Sequence, residues 1–432
     1  MTAVEVVPPT QPTLPESGRL VRRHDFRLFW FGQGASRVGS GITAVAVPLV
    51  AVEVLHAGPV TMGLLAAAAW LPWLVIGLPA GAWVDRLRHR PVMLSCDAAC
   101  IAALLAVPLL AWRGLLSIWL LLAAVLVLGA ASVFFSTAYQ AYLPFLLPAA
   151  DIAEGNTKLQ GTDQVANMAG PPLGGLIAQA FGALTGLVAD ALSFATSAVC
   201  LLRIRAREPV REPRPDRATL RSEVGEGLRL VIGDPYLRVL ALAASADNLL
   251  LNGYMALLVL FLVRDVGVPV GAVGLLLTAD AVGGLLGAYL ARRAATRYGT
   301  ARAALGTALV MTPFGLLVPL TTGGPGLAFF VVGLMVPAAG MVIGNVLVNT
   351  FRQQYCPPRL LGRMYTSSRF IQYGVMPLGA VLGGVLGAWL GIRPALWVLF
   401  AAAAAAKGLR LIGPVRRRRD FPTEYSGPAG LR

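Results

Sequence analysis

Charge is what this chain most conspicuously lacks. Of its 432 residues only 13% are Asp, Glu, Lys or Arg, while 56% are hydrophobic. A water-soluble chain of this length needs about a quarter of its residues charged, which excludes a large soluble multidomain protein and points to the lipid bilayer as its surroundings. Histidine is nearly absent: His24, His56 and His89 all stand at the edges of apolar runs, leaving no ligands for a buried histidine metal centre. Cysteine is as scarce. Cys96, Cys100, Cys200 and Cys356 show no metal-ligand or disulfide context, and the i, i+4 pair Cys96 and Cys100 reads as small-residue packing on one helix face. No Gly-x-x-x-x-Gly-Lys-Ser/Thr run cradles a nucleotide phosphate, so this chain brings no ATPase domain. Neither His-Glu-x-x-His nor Gly-x-Ser-x-Gly is present to support a hydrolase, and no cofactor is expected. Lysine is limited to Lys158 and Lys407 among 36 basic residues, which reads as compositional bias. The formal charge of +15 is not gathered into one domain, so nucleic acid is not the partner it implies.

What is present is a succession of long apolar runs. At about 20 residues per spanning helix, they predict an all-α polytopic membrane protein with twelve transmembrane helices. The predicted spans are 28–52, 60–84, 92–112, 115–140, 162–181, 184–204, 236–262, 271–291, 302–321, 326–350, 364–389 and 391–412. Residues 1–27 are Pro-rich and polar, and read as a disordered tail. The first apolar run is too long for a signal peptide and reads as a retained span. Residues 205–235 form the longest internal polar stretch, a linker with a surface helix predicted from about Leu220 to Ile232. The linker divides the chain into two six-helix bundles, 28–204 and 236–412, with a basic tail at 413–432.

The loops give the orientation. One side carries Arg22, Arg23 and Arg27, then Arg86, Arg88 and Arg90, Lys158, the linker, Arg292, Arg293, Arg297 and Arg302, Arg352, Arg359 and Arg363, and Arg416 to Arg419. The other side has Arg113, Arg264 and Arg393. Basic loops face the cytoplasm, so both termini are expected there.

The two bundles share faint sequence echoes. Gly63-Leu-Leu matches Gly274-Leu-Leu, Pro148 matches Pro358, and Pro171-Pro-Leu-Gly174 resembles Met376-Pro-Leu-Gly379, at separations of 211, 210 and 205 residues. Near-constant separations indicate a parallel repeat. Within the first bundle, Gly81-Ala-Trp-Val-Asp85-Arg86-Leu-Arg88-His89-Arg90 joins spans 2 and 3, and Gly170-Pro171-Pro-Leu-Gly174-Gly175 lies in span 5. The first resembles the Gly-x-x-x-Asp-Arg-x-Gly-Arg-Arg loop of the major facilitator superfamily, departing from it at Arg88 and His89. The second resembles the Gly-Pro-x-x-Gly-Gly motif of that superfamily's exporters. His24-Asp-Phe-Arg-Leu-Phe-Trp-Phe-Gly-Gln33, Asp190-Ala-Leu-Ser-Phe194, and Arg369 with Pro377-Leu-Gly379 are similar to the branch holding enterobactin exporters and macrolide efflux proteins. This resemblance implies the major facilitator fold and a gating role for Gly81, Asp85, Arg86 and Arg90. In it, Asp85 latches span 2 to the start of span 11 when the transporter faces outward. Gly170, Pro171, Gly174 and Gly175 become a kinked, closely packed seam of the rocking bundle. Span 4 lacks the arginine that many drug–proton antiporters of the superfamily place there.

Ionisable groups deep in a span are costly in lipid and mark transport sites. Asp247 lies about eleven residues into span 7 and Asp280 about nine into span 8, near the midplane where alternating-access sites form. Either is a candidate to take up a proton while substrate leaves, with Arg37 as counter-ion or as receptor for an anionic group. Asp190 sits near the outer end of span 6, as Glu53 does in span 1; Asp97 and Asp163 lie within about two turns of the basic side. Asn248, Asn252, Tyr139, Gln140, Asn345, Asn349 and Gln372 are candidates to line the path, or to bond helix to helix. The reading is an inner-membrane exporter, a monomer, of a small amphipathic molecule such as a drug, antibiotic or siderophore-like metabolite, working by proton antiport. An uptake permease of the same fold and a non-transporting membrane enzyme or sensor are the alternatives.

Overall fold

A computed structural model describes residues 23–84, 86–206, 208, 228–356, 358–412, 416 and 418–422. A backbone in lipid has no water to bond, so each apolar run closes its own hydrogen bonds as a helix. The helices are α1 (His24–Glu53), α2 (Pro59–Val84), α3 (His89–Trp112), α4 (Ile118–Leu146), α5 (Ile152–Phe181) and α6 (Ala183–Arg203). They continue with α7 (Pro235–Leu260), α8 (Val270–Tyr298), α9 (Thr300–Met311), α10 (Leu327–Tyr355), α11 (Pro358–Gly374), α12 (Met376–Leu390), α13 (Ile392–Ala406) and the short α14 (Leu409–Ile412).

Among the described residues, 11 segments are long and apolar enough to cross a membrane. α5 separates this number from the twelve runs of the sequence. It is 30 residues long, but Glu154, Lys158 and Asp163 occupy its first half and glycine and proline much of its second.

Several boundaries differ from those predicted, each for a local reason. Residues 24–27, read as tail, form the first turn of α1 because Phe26 and Phe29 bury almost completely. α5 begins ahead of the predicted 162 because Gly155 and Leu159 of its polar first half are also buried. Span 9 is α-helical only through Met311. Pro313 and Pro319 lack the N–H an α-helix needs, and Thr312–Leu320 continues as a 3₁₀ helix. Span 11 is broken at Gly374–Val375, just ahead of Pro377, into α11 and α12. Of the predicted linker helix, residues 228–233 are helical, and 209–227 lie outside the described residues.

Because the spans alternate in direction, one face gathers the start of α1, the α2–α3 turn and the ends of α6, α8, α10 and α14. This is the basic face, and the opposite one is called the far face below. On the far face, Gly182 (φ 90) joins α5 to α6 and Gly391 (φ 89) joins α12 to α13. A one-residue link at such φ suits glycine alone, and these two glycines stand 209 residues apart.

In the first set of helices, α1 packs on α5 and α6, α3 lies against α4 and α6, and α2 covers α4. In the second, α10 packs on α8 and α9, and α7 on α12 and α13. The two sets meet where α2 crosses α12 and α7, and where α5 crosses α8. One apolar core runs through both sets, from Val45 and Leu49 on α1 to Leu257 and Leu260 on α7.

Candidate functional site

The seam between the two sets is built from glycine. In α5, a Cβ on Gly170 would stand 2.7 Å from Gly41 Cα and one on Gly174 3.1 Å from Ile42 Cα, so both glycines admit the backbone of α1. Gly175 faces the other way, where its Cβ would lie 2.8 Å from the Gly271 carbonyl oxygen of α8. Gly274 of α8 in turn meets the Pro171 carbonyl. α12 repeats the arrangement. Cβ atoms on Gly379 and Gly383 would each stand 2.8 Å from a Cα of α7, that of Leu249 and of Gly253 respectively. Gly384 faces α2, and a Cβ there would lie 3.0 Å from Gly63 Cα.

The pattern is Gly-x-x-x-Gly-Gly in both helices, each glycine 209 residues from its counterpart. The first two pack on the first helix of their own set, and the third crosses to the second helix of the other set. The sequence match of Pro171 with Met376 therefore paired the two helices about one turn out of register. Glycine sets the register because it decides where backbones touch, and proline does not.

These crossings lie toward the far face. Nearer the middle the sets still touch through aromatic rings, with Trp70 and Trp73 of α2 at 5.9 and 5.5 Å from Tyr373 of α11. Close by, Leu74, Phe370, Ile371 and Val375 line an apolar crevice. At the basic face, Asp85 lies outside the described residues. Gly81 has open space around it and Arg86 is exposed. Arg90 Nη2 donates to the Leu202 carbonyl at 2.8 Å, and the Arg90 backbone N–H donates to Glu208 Oε1 at 3.2 Å. Glu208 also pairs with His89 Nδ1 at 3.4 Å. Both basic residues are thus tied to the end of α6 within their own set.

The charged candidates fall into three environments. Arg37 Nε pairs with Asp163 Oδ1 at 3.2 Å between α1 and α5, with 45% and 39% of their side chains exposed. Tyr139 of α4 lies within electrostatic reach of both. Asp190 is buried, accepting from Thr43 Oγ1 at 2.6 Å and Ser193 Oγ at 2.8 Å, and so bolts α6 to α1. Asp247 is held by two cations, Lys407 Nζ at 2.6 Å and Arg410 Nη2 at 2.9 Å. Asp280, half-buried in α8, has no hydrogen-bond or ion-pair partner among the described residues. Tyr254, stacked on Phe400 at 4.3 Å, lies within electrostatic reach of both Asp280 and Asp247.

Sequence reasoning missed Lys407 and Arg410. Their signal was there: one of two lysines in the chain, kept at the end of an alanine run with an arginine one turn beyond it. Of the polar candidates, Gln140, Asn345 and Asn349 are exposed, and Gln372 and Tyr139 half-buried. Asn252 turns its side chain back on the Asn248 carbonyl at 2.9 Å, within α7.

Comparison with known proteins supplies the family context. Residues 20–420 match the family described as transmembrane secretion effector. Multidrug efflux pump Tap of Mycolicibacterium fortuitum is 29% identical over 393 residues, covering 86% of this chain and 91% of that protein. Macrolide efflux protein A of Streptococcus pyogenes is 21% identical over 386 residues, covering 85% and 90%. A bacterial homologue of the iron transporter ferroportin, 17% identical, superposes in its inward-facing state with a TM-score of 0.73, covering 91% of this chain and 99% of that one. In its outward-facing state the score is 0.56.

Proposed function

The chain belongs to the transmembrane secretion effector family of the major facilitator superfamily, and from that premise we propose that it exports a small amphipathic drug or metabolite by proton antiport. It is a multi-pass protein of the plasma (inner) membrane and a transporter rather than an enzyme. α5 serves as the twelfth span, and the basic face is the cytoplasmic one. The two six-helix bundles rock about the glycine seam, and this conformation, packed together at the far face, is the one that loads cargo from the cytoplasm. The efflux pumps similar to this chain support the direction of transport.

Asp280 is the proton carrier in this reading. The observation that carries it is that this acid stands in mid-span without a partner among the described residues, whereas Asp247 is occupied by two cations. Arg37, released from Asp163, offers a cation to an anionic cargo group. The Asp85 loop, with Gly81, Arg86 and Arg90, forms its latch in the opposite state, which requires Arg90 to leave Leu202.

The test is transport by purified protein in proteoliposomes, with a macrolide and a cationic dye as probes. An imposed pH gradient is expected to drive uphill movement of at least one probe. Asp280→Asn is expected to lose uphill movement while keeping downhill exchange. An Asp280→Asn variant that still concentrates the probe against its gradient would sink the coupling assignment, and a wild type that moves neither probe would sink the cargo class.

A further inference from the structure

The most anomalous buried group in the molecule is Asp97 of α3. It is 0% exposed, and neither carboxylate oxygen meets a donor in good hydrogen-bond geometry among the described residues. The Ser197 hydroxyl of α6 is also fully buried and stands beside it at the margin of hydrogen-bond reach. A buried carboxyl group with one marginal hydroxyl neighbour in a closely packed bundle calls for an explanation, since native interiors satisfy nearly all such atoms.

The surroundings narrow it. From α3 itself Asp97 is faced by Cys96 and Cys100, both buried thiols that carry no positive charge. From α4, Leu128, Ala131, Phe134 and Phe135 pack with Cys96 and Cys100, the thiols that flank it. From α6 come Ser197 and, within reach of the same Cys100, Asp190. No ion pair joins Asp97 to a cation among the described residues, and no cation is among the groups that act on it. An ionised carboxylate without counter-charge is the least tolerable occupant of such a site.

Asp97 also stands at one end of a polar seam. Asp190, Ser193 and Ser197 occupy one face of α6 at i, i+3 and i+7. On α1, Gly32 abuts Ser197 and Cys200, Gly39 abuts Ser193 and Asp190, and Thr43 bonds Asp190. Ser36 lies between those glycines on the same face and is buried. The seam thus runs inside the first bundle from Asp97 toward the far-face half at Asp190, apart from the Asp280 region in the second bundle.

We propose that Asp97 is a proton-binding site of the first bundle, occupied in this conformation, with the bound proton on the carboxyl group facing Ser197. The ligand is a proton rather than a metal cation, because no group of three or more His, Cys, Asp or Glu side chains that could hold a metal occurs among the described residues. Loss of that proton leaves a bare anion between α3 and α6, so the packing of these helices follows its occupancy. The assignment does not rest on the role given to Asp280.

Infrared spectroscopy of the full-length protein in proteoliposomes at neutral pH tests it directly. A carbonyl-stretch band of a protonated carboxyl group, shifted by deuterium exchange, is expected in the wild type. It is expected to disappear in Asp97→Asn, to move in Asp97→Glu and to persist in Asp280→Asn. Asn is the neutral isostere of the protonated acid, so Asp97→Asn should fold as the wild type does, and its failure to fold while Asp97→Glu folds would overturn the proposal. Full retention of the band in Asp97→Asn would overturn it too. So would sodium-dependent protection from thermal unfolding that Asp97→Asn alone lacks, which would mark an ionised carboxylate holding a cation.

Discussion

The helices α1–α6 and α7–α13 share a skeleton and differ in their charges. Both sets carry Gly-x-x-x-Gly-Gly in the helix that spans the seam, and both turn on a single glycine at the far face, Gly182 in one and Gly391 in the other. Both also place an acid just beyond their last helix that caps the third: Glu208 on Arg90 of α3, Asp420 on Thr300 of α9. The ionic groups follow no such rule. Arg37 and Asp163 meet half-exposed, while Asp247 with Lys407 and Arg410 is nearly sealed and Asp280 is alone. In the proposed cycle, closing one end of the cavity requires both halves to bring backbones together in the same way, so glycine is held to the repeat. On the same proposal cargo and proton need be handled only once, so charge is free to differ between halves.

The sharpest way to break that comparison is to neutralise one acid in each half. Asp247→Asn leaves Lys407 and Arg410, whose side chains are 9% and 14% exposed, without their counter-charge. Stranding buried charge in this way costs ~3–5 kcal/mol. Asp163→Asn releases a guanidinium that water already reaches, for ~0–1 kcal/mol. Thermal unfolding in detergent, followed by tryptophan fluorescence, should therefore separate the two variants widely. Equal losses would mean that the halves do not differ in the way the exposures indicate.

The glycine seam makes the opposite prediction, that of equality. Gly175→Ala and Gly384→Ala each push a methyl group against backbone across the seam, at 2.8 Å from the Gly271 and Pro59 carbonyl oxygens respectively. Overpacking of this kind costs ~1–3 kcal/mol, charged against the far-face-closed state. A cysteine placed at Asn345 should become more reactive to a far-side thiol reagent in both variants. Gly306→Ala, where a methyl group meets open space, should change nothing. An effect confined to one of the two seam variants would show that closure is not shared between the halves.

How much of this was legible beforehand depends on range. The apolar runs disclose the helices because burial in lipid imposes itself residue by residue. The span 5 motif was visible too, since Gly-Pro-x-x-Gly-Gly is contiguous. Its counterpart in α12 was found one turn out of place, because Pro172-Leu-Gly174 and Pro377-Leu-Gly379 look alike in sequence while the glycines do the touching. Pairings across the fold were hidden: Asp247 and Lys407 are 160 residues apart, and nothing in either neighbourhood names the other. The isolation of Asp97 was equally unreadable, since a sequence shows where an acid stands but not that no ion pair forms with it among the described residues. The tail after α14 read only as basic, yet Phe421 stacks on Phe351 at 4.6 Å and docks it against the second set.

That docked tail and its counterpart give the smallest expected effect and the finest test of the repeat. Glu208 caps α3 with a side chain only 9% exposed, so Glu208→Ala leaves a buried helix start without an acceptor and should cost ~1–2 kcal/mol. Asp420 is exposed and is not alone in its task. The Arg419 carbonyl accepts from Ala301 and Arg302 at 3.1 and 3.2 Å, and the Phe421 N–H donates to Thr300 Oγ1 at 2.9 Å. Asp420→Ala should therefore lose less, because the backbone clamp keeps the first turn of α9 satisfied. Hydrogen exchange at the Arg90 and Thr300 amides reads the two sites separately. Acceleration at Arg90 in the first variant, with the Ala301 amide still protected in the second, would show the repeat preserved in geometry but carried by a side chain in one half and by backbone in the other.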